Sequence, residues 1–544
     1  MNDPTAIVAA VETAEILAFP ANASLAGDSG GDPPRTPPVD PPDDQDGSGD
    51  DGGGIDGIVE KLNAEYCLVL MGSRAIIMRE TPDAPIEDRT RVLSIEAFRA
   101  YFSNRSSAVK KRERREDANG TVTWVDVKRW VKWAPHWLNA KNRRTYDGIE
   151  FFPDPDNAPG TKNYFNVWRG FSVKPDFDTP AAERPLKYKT FRDHLLTNIA
   201  NGDRKLFDWI FAWCAHIVQR PRDRAGTAIV LRGKMGSGKT KVGEIFGSLF
   251  QSHYFLVDDP RYLVGQFNAH MASCLLLQVD EGFWAGDKAA EGRLKGLATA
   301  PKQMIEAKGV DPIRLDNYVR LMFSSNEDWV IPAGLEERRF CVLDVAPHVA
   351  QNHAYFAEMD AEMNAGGREA LLADLLAYDL DAPNAPNVRI IPKTAALLEQ
   401  KLRSLDPVTS WWFERLCDGT TTRRGGSWKR QVPVDTMFDD YVHNAEKVGV
   451  RRKAEKISLG MKLRRLVPTV STRKQSMSVE LADGSTVIRR VPCFLFPTLK
   501  ECRAAFQSAV AQAVDWGSFG VPSDEEDSAE NEDGVGEGEH DAQF

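Results

Sequence analysis

The chain has 544 residues, of which 42% are hydrophobic and 27% are charged, and its mean hydropathy is −0.40. Its sequence excludes a membrane partner, because no apolar run reaches the roughly 18 residues of a spanning helix, and its N-terminus lacks the basic segment of a secretory signal and the arginines of a transit peptide. Seven scattered cysteines without a C-x-x-C pair exclude a disulfide framework and a zinc finger, so we expect a cytoplasmic protein of about three or four folded units.

The net charge of −10 is unevenly distributed along the chain. Residues 1–55 carry eleven acidic side chains and one basic, and residues 521–544 carry ten acidic and no basic, so the chain between these tails has a charge of +10. Within it, Arg423–Arg503 holds eighteen Lys and Arg against eight Asp and Glu. A basic block of this kind indicates a nucleic-acid partner.

Both tails are predicted to be disordered and acidic. Residues 27–54 are rich in Gly, Pro and Asp, and the last 24 residues are acidic in the same way. Such compositions cannot bury enough apolar surface to offset the entropy of folding. We therefore place the folded units between residues 56 and 520.

Residues 56–175 are predicted to form a small α+β domain. Strand-like runs occupy Tyr66–Met71, Arg74–Met78 and Thr121–Val125. An Asp-x-Asp pair, Asp154 and Asp156, resembles part of a primase metal site. It lies in a Pro/Gly-rich turn, and we predict a loop there.

Aromatic side chains are dense in the second half of this segment and alternate with the basic clusters Lys110–Arg115 and Lys141–Arg144. This alternation fits base stacking by a nucleic-acid-binding surface. It also fits a domain core flanked by solvated charges, and we favour the core. The aromatic residues are Trp124, Trp130, Trp133, Trp137, Tyr146, Phe151, Phe152, Tyr164, Phe165, Trp168 and Phe171.

The remainder of the chain divides into four predicted parts. Residues 176–224 form a helical, collar-like segment, because apolar residues recur there every three or four positions. Residues 225–350 alternate buried strands with helices, which is typical of an α/β nucleotide-binding domain. Residues 351–405 continue this domain as helices, and residues 406–520 form the basic DNA-binding domain.

A glycine-rich motif of the form G-x-x-x-x-G-K-[ST] lies between the apolar strand Ala225–Leu231 and an amphipathic helix. Its residues are Gly233, Lys234, Met235, Gly236, Ser237, Gly238, Lys239 and Thr240. Backbone N–H groups of such a loop, together with the positive end of the helix dipole, hold phosphate oxygens. The motif predicts ATP binding, with Lys239 on the β- and γ-phosphates and the Thr240 hydroxyl on Mg²⁺.

Two adjacent carboxylates, Asp280 and Glu281, end a second apolar strand, Cys274–Val279. Carboxylates at the end of a buried strand are costly unless they serve a cation. We predict that Asp280 holds Mg²⁺ and that Glu281 polarises the attacking water.

Three further residues are candidates for catalysis. Asn326 follows a third apolar strand, where its amide can orient the attacking water; the alternative is a strand cap. Arg338 and Arg339 precede a fourth apolar run, and either can act as an arginine finger on the ATP of a neighbouring subunit. The alternative is a surface ion pair with Glu336 or Glu337.

The order of the glycine-rich loop, LLLQVDE, LKGLATAPKQMIEAKGV, LMFSSN and ERRF resembles the superfamily 3 helicases. It is similar in particular to the branch in phage and prophage replication proteins, related to the helicase half of poxvirus-type primase-helicases. The resemblance covers about Asn166–Tyr378, and the basic block resembles their appended winged-helix domain. It implies an α/β fold with an AAA+-like P-loop ATPase core, a small α+β N-terminal domain and a C-terminal winged-helix-like domain.

The resemblance also implies partners and one more site residue. It implies a homo-hexamer in the bacterial host cytoplasm, with single-stranded DNA in the ring channel and duplex DNA on the C-terminal domain. Lys308, in the turn between Ile305 and Ile313, matches the hairpin lysine that grips DNA; the alternative is a surface lysine. Long relatives carry a primase-polymerase domain, for which residues 56–175 are too short, so we expect a separate primase or polymerase.

Two other functions fit the same motifs. The chain can be a P-loop DNA motor that does not unwind strands. It can also be a replication initiator in which ATP switches assembly while the basic domain recognises DNA. Unwinding of a forked duplex separates the helicase from both.

Overall fold

The computed structural model of the chain describes residues 55–84, 89–116, 122–259, 268–281, 288–306, 312–480 and 486–519. The strands are β1 (Tyr66–Met71), β2 (Arg74–Glu80), β3 (Thr90–Leu93), β4 (Ser106–Glu116), β5 (Val122–Lys132), β6 (Thr145–Tyr146), β7 (Gly148–Glu150), β8 (Tyr164–Asn166), β9 (Ala228–Arg232), β10 (Tyr254–Val257), β11 (Leu276–Asp280), β12 (Lys302–Ile305), β13 (Ile313–Asp316), β14 (Arg320–Ser325), β15 (Phe340–Asp344), β16 (Gln431–Pro433), β17 (Ser471–Glu480) and β18 (Thr486–Leu495). The α-helices are Ile55–Glu65, Ile95–Tyr101, Trp133–Asn139, Arg184–Lys187, Lys189–His194, Arg204–Gln219, Lys239–Gly247, Lys288–Thr299, His353–Glu362, Arg368–Ala377, Ala395–Arg403, Pro407–Asp418, Val434–Lys447, Lys456–Leu466 and Leu499–Val510.

The N-terminal unit is built on a four-stranded sheet in the order β3-β2-β1-β6. Successive side chains of a strand point to opposite faces. On β1, Tyr66 therefore joins a small core with Phe98 and Trp137, while Cys67 and Val69 join the large core of the central unit. The sheet thus lies between its own helices and the rest of the protein.

The second hairpin of this unit, β4–β5, pairs only with itself among the described residues. Trp124 and Trp130 on β5 are 64% and 72% exposed. For these two tryptophans, the prediction that the aromatic residues form the core is wrong, because a two-stranded ribbon has no second layer to cover it. The prediction is right for four buried aromatics of the segment: Trp137, Phe151, Phe165 and Trp168.

The central unit contains a five-stranded sheet in the order β10-β11-β14-β9-β15, and every neighbouring pair is parallel. These strands are mostly apolar and buried, and all five residues of β9 are buried, including its last residue, Arg232. Strands of this kind need cover on both faces. The buried helix Arg204–Gln219 contributes Trp213 and Ile217 to the same core. The predicted α/β class is confirmed.

A small antiparallel hairpin, β12–β13, is attached to the central unit. Ile305 at the end of β12 pairs with Ile313 at the start of β13, so the predicted hairpin is present. Its turn, which contains Lys308, lies outside the described residues. The role predicted for Lys308 stays a prediction.

The C-terminal unit has its own core, which includes the fully buried Trp411 and Trp412. Its three-stranded antiparallel sheet has the order β16-β18-β17. Helix Pro407–Asp418 precedes β16, two helices follow it, and the long hairpin β17–β18 comes next. Nowhere in the described residues is there a helix both long and apolar enough to span a membrane.

Candidate functional site

The glycine-rich loop joins the carboxyl end of β9 to the helix that begins at Lys239. Gly238, the N-cap of this helix, has a φ of 86°, in the left-handed region that favours glycine. A side chain at Gly238 would also collide with neighbours, since its Cβ would lie 2.7 Å from the ring of His194 and 2.7 Å from Phe356. Only glycine allows the loop to turn here against these two rings.

The Lys239 side chain folds back into the loop that precedes it. Its Nζ donates hydrogen bonds to the main-chain oxygens of Gly233 and Lys234, and each bond is 2.8 Å long. Burial lowers the pKa of this ammonium, and the charges of Glu281 and Asp280 act in the opposite direction. The cation is therefore held inside the loop, where phosphate oxygens can replace the two carbonyls.

Thr240 and Asp280 meet across the gap between two elements. The hydroxyl of Thr240, in the first turn of the helix, donates to Oδ2 of Asp280 at the end of β11 over 3.0 Å. Burial raises the pKa of this carboxyl, whereas the hydrogen bond from Thr240 lowers it. A hydroxyl and a carboxylate are the oxygen ligands that Mg²⁺ takes beside substrate phosphates, so these residues fit that ion.

A buried amide that the sequence predictions missed joins this helix to two strands. Gln278 is fully buried, and its Nε2 donates over 3.1 Å to the Thr240 main-chain oxygen and over 3.1 Å to Ser324 Oγ. Its Oε1 accepts a 2.7 Å hydrogen bond from the Tyr254 hydroxyl. Gly243 makes room for it, because a Cβ there would lie 1.7 Å from Oε1. The signal was a single polar residue inside the apolar run LLLQV.

A second missed residue lies beneath the loop. The His194 ring is fully buried, and its Nδ1 lies 3.1 Å from Nδ2 of Asn198. Its ring centroid lies 6.0 Å from that of Phe356. Burial lowers the pKa of His194 to about 4. The loop therefore rests on a neutral ring, and no sequence motif singles this histidine out.

Glu281 and Asn326 lie at the same sheet edge as the loop. β14 is the strand between β9 and β11, with Ser324 opposite Asp280 and Ser325 opposite Arg232. Asn326 follows directly and is exposed. Glu281 is exposed too, with a φ of 48°, and its N–H donates to the Ser324 oxygen over 2.9 Å. Both side chains thus lie at the carboxyl ends of the parallel strands, at the same end of the sheet as the glycine-rich loop.

Arg338 and Arg339 lie at the amino ends of the parallel strands, whereas the loop lies at their carboxyl ends. Phe340, the first residue of β15, pairs with Ala228, the first residue of β9, whereas the glycine-rich loop follows the last residue of β9. At about 3.3 Å per residue, the arginines and the loop are roughly 17 Å apart along the strand. Among the described residues, no hydrogen bond or ion pair joins either arginine to the loop.

The local contacts of the two arginines differ. The main-chain N–H groups of both donate to Oε1 of the buried Glu337, over 3.0 Å for Arg338 and 2.7 Å for Arg339. The Arg339 guanidinium also lies 3.8 Å from that oxygen, so the predicted ion pair with Glu337 is present, although its carboxylate is buried and not on the surface. The Arg338 side chain is exposed. Arg338 is therefore the arginine more available to a second molecule.

The Asp-x-Asp pair lies in a loop, as predicted. Asp154 is buried and accepts hydrogen bonds from the N–H groups of Asp156 (3.0 Å) and Ala158 (3.3 Å). It also forms a 2.9 Å ion pair with Arg222. In the described part of the chain, no three His, Cys, Asp or Glu side chains are grouped so as to hold a metal ion. Asp154 therefore fixes a turn.

Residues 231–339 match DUF5906, a family of unknown function. The chain is 25% identical over 248 residues to the DNA primase-polymerase of Nitratiruptor phage NrS-1, an alignment that covers 43% of this chain and 33% of that protein. The chain therefore spans about a third of the length of that relative.

The fold is similar to apo structures of the C-terminal region (305–718) of the NrS-1 protein. One has a TM-score of 0.54 and 15% identity, with 80% of this chain and 98% of that chain covered. A second, the A form of that C-terminal region, has a TM-score of 0.54 and 14% identity over 81% and 99% of the two chains. At this identity, the likeness shows a shared fold.

Proposed function

We propose that this protein is an ATP-driven, ring-forming DNA helicase of phage or prophage replication, which hydrolyses ATP between subunits. The observation that carries the proposal is the contact of Thr240 with Asp280 beside the buried Lys239. It joins a phosphate-binding loop and a carboxylate that fits Mg²⁺ at one sheet edge. The related phage protein supports a role in DNA replication.

Each residue of the site has a distinct role in this proposal. Lys239 would leave the carbonyls of the loop for the β- and γ-phosphates, and Thr240 and Asp280 would hold Mg²⁺, which would neutralise charge on the phosphates. Glu281 accepts a proton from the attacking water, and Asn326 orients that water. The exposure of Glu281 and Asn326 at the carboxyl edge supports these roles, because both have open access to solvent.

Assembly follows from the position of the arginines. Arg338 and Arg339 lie at the sheet edge opposite the loop, so each can reach only the ATP of another subunit. A repeated contact of this kind, closed on itself, makes a ring. We propose a homo-hexamer with single-stranded DNA in its channel, gripped by Lys308.

The C-terminal unit supplies a surface for duplex DNA. Its helix-strand-helix-helix-hairpin order supports a winged-helix-like domain, as the resemblance implies. Arg464 and Arg465 end the helix Lys456–Leu466 and are exposed, as are Arg489 and Arg490 on the hairpin. Such side chains contact mainly phosphates.

Nucleotidyl transfer is a second candidate, because the related phage protein is a DNA primase-polymerase. Against it, the structural likeness is to the C-terminal region of the NrS-1 protein. The one Asp-x-Asp considered for a metal site is engaged by Arg222 in a turn. A non-unwinding DNA motor and an ATP-switched initiator complete the alternatives.

Unwinding of a fluorescently labelled forked duplex, followed together with ATP hydrolysis, tests the proposal. The wild-type protein should hydrolyse ATP and should separate the strands only with ATP and Mg²⁺. The Lys239→Ala variant should neither hydrolyse ATP nor separate the strands. ATP hydrolysis without strand separation would indicate a motor of another kind or an initiator. Extension of a primed template by the wild-type protein would instead support nucleotidyl transfer.

A further inference from the structure

The β4–β5 ribbon is largely exposed to solvent, and among its described residues only Val109, opposite Arg129, is buried. Its eleven antiparallel pairs run from Ser106 opposite Lys132 to Glu116 opposite Val122. Of the described side chains on β5, none is buried, and most are exposed. A ribbon of this length with so little cover contributes little to the core, so its surface calls for another explanation.

The two exposed tryptophans lie on the same face of the ribbon. Side chains alternate between faces along a strand, and Trp124 and Trp130 are separated by six positions. Directly opposed residues also share a face. Trp124 is opposite Arg114 and Trp130 is opposite Ala108. The two positions are therefore about 20 Å apart along one face, so a single strand that follows the ribbon would place bases of different nucleotides on the two rings.

The ribbon is strongly basic. Its two strands carry eight Lys and Arg against three Asp and Glu, a net charge of +5 over 22 residues. Asp126 and Lys128 lie between the tryptophans on their face, and Arg129 lies on the opposite face. Glu116, at the end of the tryptophan face, is paired with Arg114 over 3.1 Å.

We propose that the tryptophan face of this ribbon binds single-stranded DNA. Bases stack on exposed aromatic rings while basic side chains follow the backbone, and duplex bases are not open to such stacking. Surfaces that bind other proteins are depleted in lysine, whereas this ribbon is rich in it. The inference does not depend on the nucleotide site, because the ribbon and the glycine-rich loop belong to different sheets.

The test measures binding of a labelled oligodeoxythymidylate to the full chain by fluorescence anisotropy. Trp124→Ala/Trp130→Ala should weaken binding at least about 25-fold, since each of the two stacked bases contributes roughly five-fold or more. The salt dependence should stay unchanged, because no charge is removed. Trp124→Phe/Trp130→Phe should recover most of the affinity. Affinity for a duplex of the same length should not change.

A matched pair of charge variants tests which face is used. Lys128→Ala and Arg129→Ala each remove one positive charge, on opposite faces of the same ribbon. Lys128→Ala should reduce the salt slope by about 0.7, the value for one phosphate on a single strand, and Arg129→Ala should leave it nearly unchanged. Both variants are also measured in a chain that carries Arg464→Ala/Arg465→Ala. In this background the C-terminal unit contributes less to DNA binding, so the contribution of the ribbon is easier to measure.

Three outcomes would overturn the proposal. The first is wild-type affinity of the double tryptophan variant in both backgrounds. The second is equal salt slopes for Lys128→Ala and Arg129→Ala. The third is loss of self-association in the tryptophan variant without loss of DNA binding, which would make this face a contact between copies. Both tryptophans are exposed and neither is part of the core, so each variant should fold normally. Circular dichroism and ATP turnover verify that it does.

Discussion

The buried side-chain amide of Gln278 donates a 3.1 Å hydrogen bond to the main-chain oxygen of Thr240 and thereby ties β11 to the first turn of the helix after the glycine-rich loop. The same strand ends in Asp280, which accepts from the Thr240 hydroxyl. Main chain and side chain of Thr240 are thus both fixed by one strand. The spacing of the proposed Mg²⁺ ligands depends on this pair of bonds.

Replacing Gln278 should therefore weaken both stability and turnover. Gln278→Leu leaves the Tyr254 hydroxyl and the Thr240 oxygen without their partner, and a buried polar group left unpaired costs about 1–3 kcal/mol. We expect a lower free energy of unfolding in urea and a lower kcat for ATP. Gln278→Glu keeps the acceptor for Tyr254 but buries a carboxyl against the Thr240 oxygen, so it should lose at least as much stability. Unchanged unfolding in the leucine variant would contradict this role.

The nucleotide site predicts two different losses. Lys239→Ala removes a charge that contacts the phosphates, so ATP hydrolysis should fall by at least about 10²-fold. Glu281→Gln removes only the group that acts on water, so it should still bind ATP while hydrolysis falls by about 10²–10⁴-fold. Binding of a fluorescent ATP analogue and release of phosphate distinguish the two. Wild-type hydrolysis by Glu281→Gln would refute the assignment of the base.

Mixing subunits tests the proposed arginine finger. Such a group contributes about 10³–10⁵-fold in rate, and it acts on a neighbour. When Arg338→Ala subunits are mixed with wild-type subunits, ATP turnover should therefore fall more steeply than the fraction of wild-type subunits falls. Arg339→Ala is the comparison, because its guanidinium is engaged by Glu337 within the same chain. A strictly linear loss in both mixtures would show that the subunits work independently.

Acid should destabilise the protein through its buried histidines. Burial lowers the pKa of His194 to about 4 and that of His253 to about 3, from an ordinary 6.5. Below pH 6.5 the unfolded chain takes up protons that the folded chain refuses, so stability is lost as pH falls. Each histidine should contribute about 2 kcal/mol of this loss between pH 6.5 and 5.

Urea unfolding at pH 7, 6 and 5 measures that dependence. His194→Gln should reduce the slope of unfolding free energy against pH by about 1.4 kcal/mol per pH unit below 6.5. His353→Gln is the control, because His353 is exposed. An equal slope in wild type and His194→Gln would mean that His194 takes up its proton as readily in the folded protein as in the unfolded chain, and would contradict the lowered pKa.

Some of these features were predictable from the sequence, and others were not. β9 and β11 were predictable because apolar runs that end in a glycine loop or a carboxylate pair are local patterns. The exposure of Trp124 was not, because β5 lacks a covering layer and that depends on the whole fold. Gln278 was marked only as a polar residue in an apolar run, and its partner Ser324, 46 positions away, could not be read from the sequence. No local pattern marked His194, which packs against Phe356 from a distant part of the chain.

Under the proposed arginine-finger contact, the two ends of the parallel strands make each copy of this chain a directional unit, with an acceptor end at the glycine-rich loop and a donor end at Arg338. Copies that meet through unlike ends form a heterologous contact, which has no natural stopping point unless it closes. In a closed assembly every loop faces a donor, whereas an open row always has one incomplete loop at its terminus. The fraction of subunits that can hydrolyse ATP therefore shows whether the assembly is closed. In a short open row, this fraction must rise as the number of copies rises.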